Sequence, residues 1–225
     1  MKRFLREMSK GGRWLLVGAL CILPPAWAGD VLLIVGDSLS AGYGVGRHQA
    51  WPSLLERRLA AENLDVKVVN SSISGETSAS GRARLPALLQ RHGPRWVLIE
   101  LGANDGLRGL PLEALRANLD AMQDAALRAG AVPVLAGMRI PPNYGPEYSR
   151  LFAAVFARPV DGGHRVPFLL DGVAGRPELN QNDGIHPNAD GHVRILENVW
   201  PVLEPLFKTS GQVEGEKKTV LDSGK

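Results

Sequence analysis

The sequence predicts an α/β domain in which helices cover both faces of a parallel, five-stranded sheet. Five short apolar runs alternate along the chain with amphipathic stretches whose apolar residues recur at helical spacing. Strands that alternate with helices in this way form parallel sheets that are buried on both faces. The chain has 225 residues, of which 44% are hydrophobic and 22% are charged, so it can fill the core of one such domain.

The predicted strands are the short apolar runs. The first, Val-Leu-Leu-Ile-Val at residues 31–35, ends at Gly36 and has the length and composition of a buried strand. Right-handed crossovers would bring the carboxyl ends of all strands to one edge of the sheet, where ligands bind in open sheets of this class. In chain order, the five predicted strands cover residues 31–35, 66–69, 96–101, 132–138 and 166–170.

The predicted helices lie between and after these strands. The first carries Trp51, Leu55 and Leu59 at helical spacing. We expect Trp51 and Trp96 to pack in the core rather than to bind substrate. The predicted helices cover residues 51–61, 83–91, 112–129, 148–156 and 191–207.

The first 28 residues have the features of a secretory signal peptide. A start rich in Lys and Arg precedes an apolar run at residues 14–24, and Ala26-Trp27-Ala28 places small residues before a cleavage point. The run is shorter than the about 20 apolar residues that a membrane-spanning helix needs. We therefore predict cleavage after Ala28 and export to the periplasm or the medium, with no stable membrane insertion afterwards. An uncleaved amino-terminal anchor is the alternative.

Removal of this segment changes the charge and the cysteine content. Residues 1–28 carry five Lys or Arg residues and one Glu, so the formal net charge of +3 becomes −1 without them. That charge gives no support for nucleic-acid binding. The single cysteine, Cys21, lies in the same segment, so the exported domain would have neither a disulfide nor a thiol nucleophile. We predict that this domain spans residues 29–208 and that residues 209–225, which hold few large apolar side chains, form a flexible tail.

Four polar segments follow predicted strands. Each one alone has an ordinary explanation in turn chemistry. Because all four would meet at the carboxyl edge of one sheet, their joint occurrence predicts a functional site there. They are residues 36–40 (Gly-Asp-Ser-Leu-Ser), 71–77 (Ser-Ser-Ile-Ser-Gly-Glu-Thr), 102–105 (Gly-Ala-Asn-Asp) and 183–187 (Asp-Gly-Ile-His-Pro).

The residue types in these segments suit acyl transfer. A serine hydroxyl such as that of Ser38 is a weak nucleophile until a base takes its proton, and an imidazole suits that task because its ordinary pKa is about 6.5. The imidazole must be held in one tautomer by an acceptor on its other nitrogen. Asp183 precedes His186 by three residues in a loop that contains Gly184. That spacing lets the carboxylate fold back onto Nδ1 and leaves Nε2 free to face Ser38.

Acyl transfer also needs hydrogen-bond donors for the developing oxyanion. The backbone N–H of Ser38 is one candidate, and the N–H of Gly75 is a second because glycine permits close backbone approach. The side-chain amide of Asn104 is the third, since a carboxylate there would repel the oxyanion. We interpret the neighbouring Asp37 and Asp105 as structural acceptors in their turns.

The four segments resemble the four sequence blocks of the SGNH, or GDSL, hydrolase family. The Ser, Gly, Asn and His of that name match Ser38, Gly75, Asn104 and His186, and the family's Asp three residues before the His matches Asp183. The resemblance covers roughly residues 30–207 and is strongest to the branch of periplasmic thioesterase I, arylesterase and lysophospholipase. The stretches that carry it are residues 36–43, 83–89, 94–109 and 143–145.

This resemblance implies a flavodoxin-like, three-layer α/β/α fold and hydrolysis that needs no metal or other cofactor. It implies small-molecule substrates, namely aryl esters, acyl thioesters and lysophospholipids, bound in a shallow apolar groove. We expect a monomer without a nucleic-acid partner. Substrate contacts are expected from Leu39, Glu76, Tyr144 and Ile185.

Other kinds of site find less support in the sequence. No serine lies in the Gly-x-Ser-x-Gly pattern of α/β-hydrolases, and neither a His-Glu-x-x-His motif nor a phosphate-binding loop occurs. The histidines outside the fourth segment lack an acid-and-turn context, so we interpret them as surface or capping residues. They are His48, His92, His164 and His192.

The leading hypothesis is therefore an ester and thioester hydrolase that forms an acyl-enzyme on Ser38. A carbohydrate O-deacetylase of the same family is the alternative. A third hypothesis is an exported binding module that keeps the fold without catalysis.

Overall fold

The computed structural model describes the backbone of residues 30–222 and the side chains of residues 30–209. Five parallel strands form one sheet in the order β2-β1-β3-β4-β5. β1, the first strand, therefore lies inside the sheet. β2 pairs with it on one side, and β3, β4 and β5 follow in order on the other side. The strands are β1 (Asp30–Gly36), β2 (Val66–Asn70), β3 (Trp96–Glu100), β4 (Val132–Ala136) and β5 (His164–Val166).

Helices cover both faces of this sheet. α2 and α7 pack together on one face, whereas α3, α5 and α6 form the layer on the other. The three-layer α/β/α prediction is therefore confirmed. The helices are α1 (Ser38–Ala41), α2 (Trp51–Ala61), α3 (Ser78–His92), α4 (Ala103–Leu107), α5 (Leu112–Arg128), α6 (Pro146–Phe156) and α7 (Ala189–Asp222).

The core lies between the layers and follows the predicted apolar pattern. The central strands β1 and β3 are buried almost throughout, as expected for strands covered on both faces. Trp51 and Trp96 are buried in this core, which confirms their packing role.

Apart from the last helix, two predicted elements differ from the structure by more than two residues at one end. The fifth strand was expected at residues 166–170, but it pairs with β4 only over His164–Val166. Pro167 follows directly and has no backbone N–H, so it cannot continue the ladder. The helix expected at residues 83–91 starts earlier, at Ser78, because Thr77 caps its amino-terminal end.

The structure describes the two ends of the chain only in part. The predicted signal peptide falls on residues 1–28, which lie outside the described residues, and its cleavage stays a prediction. The last helix was expected to close near Phe207, but its backbone continues to Asp222. The predicted tail at residues 209–225 is therefore helical in backbone as far as Asp222. Among the described residues, none of the helices combines the length and apolar character needed to cross a bilayer.

The carboxyl edge of the sheet gathers the predicted segments. β1 leads into α1, β3 leads into α4, and the loop at residues 71–77 follows β2. The loop at residues 183–187 precedes α7. The first turn of α7 lies close to the turn before α2, because His192 contacts the backbone of Trp51. The fold thus places the first turns of two short helices, α1 and α4, where β1 and β3 end.

Candidate active site

Ser38 is the first residue of α1 and is separated from the end of β1 by a single residue, Asp37. Asp37 caps this short helix, because its Oδ1 accepts the backbone N–H of Leu39 at 3.0 Å. The strand end and the cap fix the backbone on both sides of Ser38. Its hydroxyl therefore projects from a rigid turn at the sheet edge.

His186 and Asp183 form a hydrogen-bonded unit with Ser38. The Ser38 Oγ lies 3.0 Å from His186 Nε2, and His186 Nδ1 lies 2.7 Å from Asp183 Oδ2. The carboxylate accepts at Nδ1, which requires the tautomer with hydrogen on Nδ1 and leaves Nε2 as an acceptor for the serine hydroxyl. The structure thus brings together the three residues predicted to carry the chemistry.

The loop itself holds the Asp183 carboxylate in place. Its Oδ1 accepts the backbone N–H groups of Ile185 and His186, each at 2.9 Å. These backbone hydrogen bonds, with the one to the imidazole, lower the pKa of Asp183 to about 2. The carboxylate therefore stays ionised at any pH near neutrality.

The ring of a tyrosine, Tyr43, packs against the imidazole of His186. The ring centroids of Tyr43 and His186 are 4.6 Å apart. Gln181 links the same parts of the chain, since its Nε2 donates to the carbonyls of Tyr43 and Pro187 at 2.7 and 2.9 Å. These contacts join the loop that holds His186 to the turn after α1.

The three predicted oxyanion donors are the backbone N–H groups of Ser38 and Gly75 and the side-chain amide of Asn104. Neither the Ser38 N–H nor the Gly75 N–H has a hydrogen-bond acceptor within the described chain. Gly75 has a φ of +80°, a conformation that side-chain-bearing residues rarely adopt. Asn104 lies at the start of α4, in the first turn after β3.

The Asn104 amide is held by two acceptors. Its Nδ2 donates to Asp37 Oδ2 and to the carbonyl of Glu76, both at 3.0 Å. This arrangement links the loops after β1, β2 and β3 through one side chain. Both amide hydrogens thus have protein acceptors, so an oxyanion has to share or replace one of these bonds.

An apolar cavity of about 560 Å³ opens beside this group. Its wall includes both Ser38 and His186, and most of the remaining wall is apolar. A cavity of this size holds a small organic ligand. The other lining residues are Asp37, Leu39, Ala103, Asn104, Leu107, Arg139, Ile140, Pro141, Pro142, Phe168, Leu170, Asp171, Gly172, Ala174, Gly175, Asn180, Gly184 and Ile185.

Comparison with known proteins places this arrangement in a family. The sequence model of the GDSL-like Lipase/Acylhydrolase family matches residues 34–194, which include every residue of the hydrogen-bonded unit. The chain belongs to this family.

Three relatives show how far the likeness extends. Esterase TesA of Pseudomonas aeruginosa is 50% identical over 193 residues, covering 84% of this chain and 95% of TesA. The thioesterase 1/protease 1/lysophospholipase L1 of Escherichia coli K12 is 45% identical over 184 residues, covering 80% of this chain and 86% of that protein. A solved structure of the psychrotrophic esterase EstA from Pseudoalteromonas, inhibited by monoethylphosphonate, is 39% identical. It covers 80% of this chain and 99% of EstA, with a TM-score of 0.74.

Only some of the expected substrate contacts of this GDSL-like acylhydrolase line the cavity. Leu39 and Ile185 do so, whereas Glu76 and Tyr144 do not; Gly75, one of the predicted oxyanion donors, is also not among the lining residues. The Glu76 carboxylate is buried and forms a bidentate ion pair with Arg84, with Nε 2.6 Å from Oε1. Its contribution to the site is therefore its backbone carbonyl. The Tyr144 hydroxyl donates to the carbonyl of Leu107, a lining residue, at 3.0 Å.

The wall of the acylhydrolase cavity also contains segments that the sequence motifs did not single out. Residues 139–142 follow β4, and residues 168–175 follow β5. Both positions agree with the rule that ligands bind beyond the carboxyl ends of parallel strands. That rule, applied to the residues directly after every strand rather than only to the polar motifs, would have found them.

The remaining titratable residues of the motif segments have structural roles. Asp105 accepts the backbone N–H and the hydroxyl of Ser78 at 2.8 and 2.6 Å, as expected for an acceptor that pins a loop. His192 was interpreted as a surface or capping residue, but it is fully buried. Its Nδ1 accepts the Trp51 N–H at 3.3 Å, so it caps α2 from inside the protein, and burial lowers its pKa to about 4.

Proposed function

We propose that this acylhydrolase cleaves carboxylic esters and thioesters through a covalent acyl intermediate on Ser38. The observation that carries the proposal is the continuous path of hydrogen bonds from Ser38 Oγ through His186 to the Asp183 carboxylate, beside an apolar cavity. The names of two relatives, an esterase and a thioesterase/lysophospholipase, support the same substrate classes.

The first half of the reaction uses the two hydrogen bonds of His186. As Ser38 Oγ attacks the carbonyl carbon, its proton passes to Nε2, and the resulting imidazolium keeps its Nδ1 hydrogen on Asp183. The carbonyl oxygen becomes an oxyanion that the Ser38 N–H, the Gly75 N–H and the Asn104 amide would stabilise. Collapse breaks the bond to the leaving alcohol or thiol, which takes the proton from Nε2.

The second half repeats this chemistry with water. His186 removes a proton from a water molecule as the water oxygen attacks the acyl carbon. The bond to Ser38 Oγ then breaks, Oγ recovers the proton from Nε2, and the carboxylic acid leaves. Asp183 stays ionised throughout, because its backbone donors hold its pKa at about 2.

The cavity supports acyl groups longer than acetyl. Its volume of about 560 Å³ and its wall of Leu, Ile, Pro and Phe side chains would remain largely unused by a two-carbon acyl group. This feature favours aryl and long-chain esters, acyl thioesters and lysophospholipids over the acetylated carbohydrates of the alternative hypothesis.

A substrate panel tests the proposed activity. Purified protein should hydrolyse p-nitrophenyl esters, acyl-CoA thioesters and a lysophospholipid, with a preference for chains longer than acetyl. Turnover restricted to acetyl esters would instead favour the carbohydrate O-deacetylase.

Covalent labelling tests the nucleophile. A fluorophosphonate should attach to Ser38 in the wild-type protein, and the labelled peptide is identified by mass spectrometry. Ser38→Ala should be neither labelled nor active, whereas Ser53→Ala, a serine on α2 away from the cavity, should keep both properties. An active protein labelled at another residue would falsify the mechanism.

We further infer that the chain is exported. The inference rests on the positive start, the apolar run and the small residues before Ala28 in the sequence. Expression of the full chain in a Gram-negative host, followed by mass spectrometry of the periplasmic fraction, should find a new amino terminus at Gly29. A full-length protein retained in the membrane fraction would support the uncleaved anchor.

A further inference from the structure

Besides Asp37, a second acidic side chain lies next to the turn at residues 36–38, called here the nucleophile turn. This side chain has no role in the mechanism above. Glu100 is the last residue of β3 and is fully buried. In the sheet register it lies beside Gly36 of β1. Its Oε2 accepts the backbone N–H of Asp37 at 3.2 Å, whereas its Oε1 has no hydrogen-bond partner. A buried carboxyl group with so few donors is costly to keep ionised.

The nucleophile turn is shaped around this carboxyl group. A Cβ atom added at Gly36 would lie 2.5 Å from Glu100 Oε2. A side chain at this position, directly before Asp37 and Ser38, would therefore displace the Glu100 carboxyl group.

Glu100 and Asp37 form a buried pair of carboxyl groups that cannot both carry a charge at low cost. Asp37 has the better donors, because it accepts the Leu39 N–H and the Asn104 amide, each at 3.0 Å. The donors that face Glu100 are weaker: the Asp37 N–H at 3.2 Å and the hydroxyl of Ser40. The shared proton therefore belongs on Glu100, and the charge belongs on Asp37.

The surrounding groups favour the same assignment. The electrostatic interaction with His186 lowers the pKa of Asp37 and so favours the Asp37 carboxylate. On the side of α2, Glu100 faces the Ser40 hydroxyl, which accepts the Trp51 indole N–H at 3.2 Å. The next titratable group beyond Trp51 is His192 on α7, which burial keeps neutral.

The pKa shifts agree with this geometry. Burial raises the pKa of Glu100 well above its ordinary value, and the charge of Asp37 raises it further. Burial raises the pKa of Asp37 to about 6, while its hydrogen bonds oppose that rise. The contact between the two side chains lowers the pKa of Asp37 and raises that of Glu100, as expected for an acid beside a carboxylate.

We propose that protonated Glu100 is a positioning residue for ester hydrolysis, which fixes Asp37 as the anion that orients the Asn104 amide toward the oxyanion. This proposal rests on the proposed function of the site. Glu100 touches no substrate; it acts through Asp37, which in turn holds Asn104 against the cavity.

Two variants of Glu100 and one control separate this role from simple packing. E100Q keeps the shape and a permanently neutral hydrogen-bonding group, whereas E100A removes both. L98A is the matched control, because Leu98 is also fully buried and lies two residues earlier on the same strand, so its side chain points to the same face. All three are compared by thermal unfolding and by kcat and KM on a p-nitrophenyl ester.

Positioning predicts a specific kinetic pattern. E100A should lower kcat by about tenfold or more with KM changed less than about threefold, because small displacements of catalytic groups affect chemistry more than binding. E100Q should recover most of that loss, and L98A should keep wild-type kcat despite its lower stability. Equal kcat in E100A and L98A, or an E100Q protein as slow as E100A, would overturn the proposal.

A spectroscopic measurement reports the proton without any reference to activity. The infrared difference spectrum of wild-type protein minus E100Q at neutral pH should contain the carbonyl stretch of a protonated carboxylic acid. In E100A the side-chain amide resonances of Asn104 should shift, and in E100Q they should stay close to the wild-type positions. Absence of the acid band at neutral pH would overturn the assignment even if E100A folds poorly. Wild-type protein that shows the band but hydrolyses no ester would instead overturn the proposed function, and the positioning role with it.

Discussion

The Ser38 hydroxyl oxygen lies 3.0 Å from His186 Nε2, although 148 positions of the chain separate the two residues. The contact depends on two independent supports. One is the rigid turn at the end of β1, capped by Asp37, and the other is the loop before α7, which is fixed by its own backbone bonds to Asp183. A substitution that disturbs either support should therefore lower kcat.

Replacement of Asp183 by asparagine should slow the reaction without unfolding the protein. The neutral amide could no longer stabilise the imidazolium and would favour the wrong tautomer of His186, so kcat should fall by about 10²-fold or more. Asp183→Asn is compared with Asp190→Asn, an exposed position in the first turn of α7. If kcat of D183N stays within about threefold of wild type, Asp183 does not orient the imidazole.

Two substitutions of Asn104 should differ in severity. Asn104→Ala removes one oxyanion donor and should lower kcat by about 10²- to 10³-fold. Asn104→Asp should be slower still, because a carboxylate would face both the oxyanion and the Asp37 carboxylate, which now accepts from Asn104 at 3.0 Å. Steady-state kinetics on one aryl ester give both values, and an N104D enzyme faster than N104A would contradict the assignment.

An oxyanion should take its Asn104 hydrogen bond from Glu76 rather than from Asp37. Both bonds measure 3.0 Å, but the one to the Asp37 carboxylate is charge-assisted and stronger than the one to the neutral carbonyl of Glu76. A crystal structure of the phosphonate adduct should show a longer distance from Nδ2 to the Glu76 oxygen. An adduct in which both distances stay at their present values would rule out Asn104 as an oxyanion donor.

Activity should fall on the acid side as Asp37 takes up a proton. Asp183 has a pKa of about 2 and remains ionised, whereas Asp37 has a pKa of about 6 and becomes neutral below that pH. Neutral Asp37 no longer offers Asn104 a charged acceptor and no longer stabilises the imidazolium. The profile of kcat against pH should therefore decline below about pH 6, and Asp37→Asn should show the reduced rate already at neutral pH. Unchanged kcat in D37N would exclude this cause.

The stability of the fold should decrease in acid because of His192. Its pKa of about 4 in the folded protein lies below the ordinary histidine value of 6.5, so the unfolded chain binds a proton more readily. The stabilisation is complete above about pH 6.5 and is lost as the pH falls toward about 4, by on the order of 3 kcal/mol. His192→Gln can still accept the Trp51 N–H but does not titrate. The difference in Tm between neutral pH and about pH 4.5 should therefore be smaller in H192Q, and an equal difference would mean that other groups cause the acid sensitivity.

The sequence was sufficient for the fold class and for the residues of the hydrogen-bonded unit. Alternation of strands and helices determines which ends of the strands meet, and Ser38, Asn104 and His186 all lie in segments that this rule brings together. The spacing of Asp183 and His186 is a local property of one loop, so it could be predicted without knowledge of tertiary packing.

Other features depend on packing and could not be predicted in the same way. Glu100 ends an apolar run and gives no sign of its burial, because that follows from the register of β3 beside Gly36. The packing of the Tyr43 ring against His186 joins distant parts of the chain. The end of β5 at Val166 could have been anticipated from Pro167, whose missing N–H is visible in the sequence.

The residues of the cavity wall and the residues that transfer protons lie largely on separate loops, which makes this enzyme suited to engineering. The wall of the cavity at residues 139–142 and 168–175 lies on different segments from Ser38, Asp183 and His186. Libraries confined to those two wall segments could therefore tune chain-length selectivity while the proton-transfer apparatus stays untouched.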